Sequence, residues 1–244
     1  MKVHGALAEA FHAEGVRAQF GLMGDANMLW MLDLAEREAV STYHVRHEHC
    51  AVGMAMGYHS ATGRVGVASV TCGPGFTQIM TALSTAVRAR IPLIVCAGEA
   101  PLSVRGYGQG IDQPPFAAAC GAHYVAMHVP EALQACVNEA FHHAQAFRTP
   151  VVLGVPVDVQ KMDAAETPYR PVSGLIPVLP PAEPDAPTVE YLAERLYSAE
   201  RPLIVAGRGA VRAGCGPLLR ELAEAGDALL AQTLLARGLF DDDE

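Results

Sequence analysis

Four short loops in this chain carry residues whose types and spacing could do chemistry. Phe20-Gly-Leu-Met-Gly-Asp-Ala-Asn27 sets two glycines in a tight turn ahead of a carboxylate and an amide. Asp25 or Asn27 could cap a following helix, which is also the ordinary role of such residues. Val45-Arg-His-Glu-His-Cys-Ala-Val52 places Glu48 at the start of a helix whose face, Ala51, Val52, Ala55 and Met56, is small and apolar. A glutamate there either complements the helix dipole, the reading that spacing favours, or is a buried functional carboxylate. His47, His49 and Cys50 do not make a metal motif: the helical HExxH pattern fails at Ala51, and the later P-C-x-x-C of a zinc deaminase is absent. Val70-Thr-Cys-Gly-Pro-Gly-Phe-Thr77 offers glycines where backbone approaches something closely, with Pro74 near a helix start, but it lacks the lysine of a P-loop. Ala97-Gly-Glu-Ala-Pro101, leading into Gly106-Tyr-Gly-Gln-Gly-Ile-Asp-Gln113, reads as a glycine-rich loop that is either a flexible surface segment or faces a substrate.

These loops need a frame to hold them. Strands are predicted at Ala18–Leu22, Thr42–Arg46, Val65–Thr71, Leu93–Ala97, His123–His128 and Val151–Val155, and helices at Val3–Glu14, Met28–Arg37, His49–Thr62, Phe76–Arg90 and Glu131–Phe147. Near-continuous apolar strands alternating with helices predict an α/β fold with a parallel sheet covered by helices on both faces. In such sheets ligands sit beyond the carboxyl ends of the strands, where all four loops fall. Residues 164–188 hold seven of the 17 prolines and no period, so an extended linker over residues 163–187 separates a domain at 1–162 from a second α/β unit at 188–244. That unit has a helix at Val189–Ser198, a strand at Pro202–Ala206, a turn at Gly207–Gly209 and a helix at Pro217–Ala225, and the chain stops at Phe240-Asp-Asp-Asp-Glu. So small a sheet cannot bury its faces, and the second domain is expected to be incomplete.

Composition narrows the partners. The chain has 244 residues, 51% of them hydrophobic and 18% charged, enough apolar material for a core and too little charge for disorder. Its formal charge of −9 leaves phosphate neutralisation without a source, so nucleic acid and anionic membrane are not expected partners. No apolar run nears the ~20 residues of a membrane span, the N-terminus lacks a signal-peptide block, and a cytoplasmic location is expected. The six cysteines form no CxxC pair, which predicts reduced thiols without a disulfide or zinc knuckle.

Taken in order, the loops resemble the N-terminal pyrimidine-binding domain of thiamine-diphosphate-dependent enzymes of the acetolactate synthase, pyruvate decarboxylase and benzoylformate decarboxylase group. The resemblance runs from residue 1 to about 160 and is carried by Phe20-Gly-Leu-Met-Gly-Asp-Ala-Asn27, Arg46-His-Glu-His49, Gly57-Tyr58 with Ala61-Thr-Gly63, Thr71-Cys-Gly-Pro-Gly75, Ile91-Pro92 and Thr149-Pro-Val-Val-Leu-Gly-Val-Pro-Val-Asp158. Arg201-Pro-Leu-Ile-Val-Ala-Gly207 looks like the opening of that family's central domain. The resemblance implies that Glu48 hydrogen-bonds N1′ of the aminopyrimidine and so assists loss of the proton from C2 of the thiazolium. It implies cofactor contacts at Met23, Gly24, Thr71, Gly73, Pro74, Gly75 and Gln78, and places Asp25 and Gln109 beside the substrate.

The activity so implied is decarboxylation and carboligation of small 2-oxo acids, acetolactate synthase-like. The alternatives are a 2-oxo acid decarboxylase of the pyruvate or benzoylformate type, or a catalytically incomplete fragment. Asp25 matches the decarboxylase branch, whose His-His pair is missing from Gly106–Gln113. The acetolactate branch has Phe-Gln-Glu where this chain has Gly108-Gln109-Gly110, and many relatives carry Asn where Gln78 stands. The Gly-Asp-Gly…Asn signature that binds diphosphate and Mg2+ is absent, so those ligands are expected in a C-terminal domain and the chain alone is expected to be inactive. FAD, which acetolactate synthases carry in the central domain, is left open. By the same resemblance the active unit is a homodimer or tetramer, or a pair with a chain that supplies the diphosphate domain. Small residues Gly53, Ala55 and Gly57 on the Glu48 helix suit such an interface or a close contact within the chain.

Overall fold

The computed structural model describes residues 1–165, 167–176 and 182–241. Two compact units divide the chain, 1–178 and 179–244. The first opens with α1 (Val3–Ala13), β1 (Ala18–Gly21), α2 (Met28–Ala35), β2 (Ser41–His44), α3 (Glu48–Thr62) and β3 (Gly66–Val70). It continues with α4 (Pro74–Thr77), α5 (Met80–Arg88), β4 (Leu93–Glu99), α6 (Gln113–Cys120), β5 (His123–Ala126), α7 (Leu133–Phe147), β6 (Pro150–Pro156) and α8 (Val157–Gln160).

All six expected strands form one parallel sheet in the order β2-β1-β3-β4-β6-β5. The central strands β1, β3 and β6 are buried along their whole length, and β4 up to Glu99, because helices cover both faces. On one face α1, α2 and α7 pack Leu7, Phe11, Trp30, Leu34, Val137 and Phe141 onto Val67, Ile94, Val151 and Leu153. On the other, α3, α5 and α6 pack Val52, Ala55, Leu83, Ala86 and Ala117 onto Phe20, Ala68, Val70, Val95 and Val152. The chain's single tryptophan, Trp30, is 1% exposed; its ring lies 5.4 Å from that of Phe11 and its Nε1 donates to Ser69 Oγ at 3.2 Å.

β1 has β2 on one side and β3 on the other, so the strand order reverses there and the connections after β1 and β3 leave the carboxyl edge in opposite directions. That divergence makes the crevice in which ligands of open α/β sheets are held. Each helix runs back from this edge, so its first turn stands at the crevice: α3 after β2, α4 after β3.

Three local readings need correction. The single helix expected at Phe76–Arg90 is two, because Ile79 N–H bonds the Phe76 carbonyl three residues back and the chain tightens between α4 and α5. That tighter turn keeps both Phe76 and Ile79 wholly buried on one side. Helix α6 was not expected in the segment after Gly106–Gln113; its two prolines lie in the first turn, where no N–H is needed. Asn27 does not cap α2 with its side chain. Instead its buried amide accepts from Gly24 N–H at 2.7 Å and donates to Leu22 O at 3.1 Å and Ser69 Oγ at 2.8 Å, bracing the turn after β1.

The segment read as the start of a linker is tied to this unit. Tyr169 Oη bonds Glu14 Oε1 and Asn138 Oδ1, each at 2.6 Å, and Val172 is buried against the same core as α1 and α7. The rest of that expected linker includes residues 166 and 177–181, which lie outside the described residues, as do 242–244 of the final acidic run.

The second unit contains α9 (Ala186–Tyr197), β7 (Leu203–Ala206), α10 (Arg208–Arg212), α11 (Gly216–Ala225) and β8 (Leu229–Gln232). Asp185 caps α9 by accepting from Thr188 N–H at 2.9 Å. The segment expected as a simple turn at Gly207–Gly209 runs into the short helix α10. β7 and β8 form a two-stranded parallel sheet, and α9 has no buried residue.

Among the described residues no helix is long and apolar enough to cross a membrane. All six cysteines are free; Cys72, Cys96, Cys120 and Cys136 are buried, Cys215 is half-buried and Cys50 is exposed.

Candidate functional site

Glu48 is the first residue of α3, entered from an extended His47 whose Nδ1 accepts from His49 N–H at 3.1 Å. Its carboxylate is half-buried and has no hydrogen-bond or ionic partner among the described residues. The dipole reading and the functional reading both fit its position in the first turn. The lack of a partner leaves its oxygens open to a donor from outside the chain.

What keeps that space clear is Gly75. A Cβ at Gly75 would lie 3.3 Å from Glu48 Oε1 and 2.7 Å from Thr71 Cγ2, so a side chain there would crowd the carboxylate. Thr71 stands between the two crevice loops: its Oγ1 accepts from Ala26 N–H at 3.3 Å, and its side chain lies 2.7 Å from where a Gly24 Cβ would be. Gly73 has φ +60°, and a Cβ there would fall 2.1 Å from the Gln109 carbonyl oxygen. Only glycine combines that backbone with that approach. Met23 is half-buried against the α1–α2–α7 core, and Pro74 is the first residue of α4. Thus the loops after β1, β3 and β4 close on one another at the crevice.

On the β4 side, Cys72 Sγ lies 3.6 Å from Gln109 Oε1, and Tyr107 packs on the small cluster of Ala26, Cys72 and Val157. Burial pushes the Cys72 thiol above its usual range, against a hydrogen bond with Thr71, and the Asp25 charge adds to the rise. Tyr107 is raised by burial first and then by Cys72 and Asp25, which puts Asp25, exposed at the turn after β1, in the same neighbourhood. Gln78, between α4 and α5, is exposed and makes no side-chain hydrogen bond among the described residues, so no recorded contact joins it to the others.

Two features of this region escaped the sequence reading. Tyr107 lies in a loop noticed for its glycines and Gln109. Glu99, Gln113 and Tyr124 form a hydrogen-bonded cluster at the end of β4, and Glu99 also meets His128. Glu99 was read as part of the loop after a strand ending at Ala97, whereas β4 runs on to Glu99. Among the described residues no three or more His, Cys, Asp or Glu side chains converge as a cation site.

Residues 1–119 match the family model described as thiamine pyrophosphate enzyme, N-terminal TPP binding domain, and residues 189–244 match that of the same enzymes' central domain. The chain belongs to the thiamine pyrophosphate enzyme family. An acetolactate synthase of Arthrospira platensis is 33% identical to it over 244 residues, covering 97% of this chain and 42% of the relative. The acetolactate synthase isozyme 3 large subunit of Escherichia coli (strain K12) is 32% identical over 93% of this chain and 40% of its own length. A glyoxylate carboligase of Escherichia coli O157:H7 is 32% identical over 94% and 39%. The chain spans about 40% of the length of the curated relatives it matches.

Thiamine diphosphate can be tested against this family member's own residues. Its aminopyrimidine offers a ring nitrogen able to share a proton, and Glu48 offers an acceptor that has no other partner among the described residues, beside a glycine that adds no side chain to the space. The pyrimidine half of the group therefore fits.

Proposed function

We propose that this chain supplies the pyrimidine half of a thiamine-diphosphate site in an enzyme that decarboxylates 2-oxo acids and joins the product to an acceptor. The observation that carries the reading is the Glu48 carboxylate, without a partner among the described residues and held by the first turn of α3 beside Gly75 at the crevice. When bound, thiamine diphosphate supplies an acidic carbon at C2 of its thiazolium and an electron sink for the charge left when carbon dioxide departs.

The chain's own part is proton management and shape. Glu48 holds a proton at pyrimidine N1′, and its half-buried setting limits competition from water for that proton. Thr71, Gly73, Pro74 and Gly75 form the wall against which the ring lies, with Met23 and Gly24 closing the opposite loop and Gln78 at the outer rim. Asp25 and Gln109 face the substrate, Asp25 as the charged group and Gln109 as an amide able to donate to a carboxylate or carbonyl oxygen.

Residues 1–162 act as the cofactor half, and 188–244 begin the central domain. The diphosphate and Mg2+ are held by a domain outside these residues, contributed by a second copy in a dimer or tetramer or by a partner chain, in the cytoplasm.

In the assembled enzyme, Glu48→Gln is expected to slow exchange of the C2 proton about 100-fold or more, as loss of a positioned proton-transfer group does. Proton NMR of the cofactor in deuterated water measures it, and an unchanged exchange rate sinks the assignment. With pyruvate as substrate, acetolactate as the product supports carboligation, whereas free acetaldehyde alone replaces it with simple decarboxylation.

A further inference from the structure

The loop of residues 100–112, which brings Tyr107 and Gln109 to the crevice, is fastened at three places. Near its start, Asp158 accepts from Leu102 N–H at 3.1 Å and Ser103 N–H at 3.0 Å. In its second half the Gln109 backbone rests on Gly73, and the Gln109 side chain covers Cys72. The third fastening joins the strand that precedes the loop to the helix that follows it. Gln113, the first residue of α6 and 2% exposed, donates from Nε2 to the Gly98 carbonyl at 2.8 Å. Tyr124 Oη donates to Glu99 Oε1 and has Gln113 Oε1 as a second acceptor at 3.2 Å; the other carboxylate oxygen, Glu99 Oε2, accepts from His128 Nε2 at 2.8 Å.

This cluster depends on a gap in the middle of β6. A Cβ at Gly154 would lie 2.0 Å from Tyr124 Oη and 2.2 Å from Glu99 Oε1, so the phenol and the carboxylate meet directly over a glycine in a strand otherwise rich in branched side chains. Burial, and then the Glu99 charge, pushes the Tyr124 hydroxyl well above its usual range, so it stays a proton donor. Bonds of a phenol to a carboxylate in such a setting are stronger than neutral ones.

We propose that Glu99 and Tyr124 are positioning residues: with Gln113 they form a clasp that draws the two ends of the 100–112 loop together and so holds Gln109 and Tyr107 over Cys72 at the crevice. The clasp acts within this chain alone. Only its consequence for substrate rests on the function proposed above, where it sets the placement of the Gln109 amide.

The chain carries its own reporters. Cys72 lies under the loop, whereas Cys96 is 2% exposed within β4 and is shielded by the core rather than by the loop. Alkylation of the 244-residue chain by iodoacetamide, followed at each cysteine by mass spectrometry, needs no cofactor. Tyr124→Phe keeps the ring and deletes one hydroxyl; it is expected to speed alkylation of Cys72 about 10-fold or more while Cys96 keeps its wild-type rate. Gln113→Met is expected to do the same from the α6 side. Glu99→Gln, which keeps an oxygen for Tyr124, is expected to leave Cys72 protection near the wild-type level. The proposal is overturned if Cys72 stays protected in both Tyr124→Phe and Gln113→Met, or if Cys72 and Cys96 accelerate together, which would mark a role in global stability. In the assembled enzyme Tyr124→Phe should raise KM for the 2-oxo acid several-fold at nearly constant kcat; a fall in kcat with KM unchanged contradicts positioning. Loss of the thiamine reading would leave the alkylation result standing.

Discussion

At the scale of single residues, the crevice is built as much by missing side chains as by present ones. Gly73→Ala forces a Cβ onto a backbone at φ +60° and into the Gln109 carbonyl. The strained conformation alone costs about 1–3 kcal/mol, so the urea midpoint of the chain is expected to fall and the Gln109 backbone to move off the β3 turn. An unchanged midpoint would show that the loop yields without strain. This position was legible in the sequence, because Thr71-Cys-Gly-Pro-Gly75 after an apolar strand asks for close backbone approach. Glu48 was legible as a carboxylate with two readings, and its lack of a partner needed coordinates. Tyr124 was not legible at all. Its partner Glu99 lies 25 residues earlier, and only the pairing of β4 and β5 on either side of β6 brings the two together over Gly154. Asn27 misled for a different reason: its Oδ1, the atom that would cap α2, accepts from Gly24 N–H, while its Nδ2 donates to Ser69, 42 residues on.

Among the elements, strands were easier to read than helices. Buried parallel strands announce themselves as apolar runs, as β1, β3, β4 and β6 do; the exposed edge strand β2 and the partly buried β5 were found too, each of the six within a few residues of its ends. Helices with small faces do not: α6 is short and rich in alanine, so it shows little periodicity, and its prolines look like loop residues until its first turn is identified. The loop between β4 and α6 is held by charge as well as by hydrogen bonds. Burial alone would raise the Asp158 carboxyl, but the N–H groups of Ser103, Leu102 and Val159 outweigh it and hold the group below its ordinary value of 3.8. A depressed carboxyl stabilises the fold fully above the unfolded value and loses that contribution as pH falls through the lower, folded one. The amide proton shifts of Leu102 and Ser103 are therefore expected to stay constant down to about pH 4 and to titrate together below it. Asp158→Asn should abolish that step, and a titration centred above 3.8 would contradict the assignment.

For the molecule as a whole, burial is uneven. The large buried side chains, Trp30, Phe11, Phe76, Phe141 and their neighbours, all belong to the first unit. In the second, Leu203, Val205, Leu218, Leu229 and Leu234 are 58% or more exposed within this chain. A two-stranded sheet with a few helices has too little area to cover such residues, which is what the sequence predicted from the shortness of that segment. Stability is accordingly expected to reside in the first unit: a chain ending at residue 178 should unfold at the same urea concentration as residues 1–244, and a large drop would show that the second unit supports the first. The position of Trp30 decides how that comparison is read. Wedged between Phe11 and Ser69 and without another indole in the chain, it is an optical label confined to the first unit. Its emission records the melting of that unit alone, whereas circular dichroism sums the helices of both. The separation between the two curves is then a direct measure of how independently the cofactor half folds, obtained without adding a dye or changing a residue.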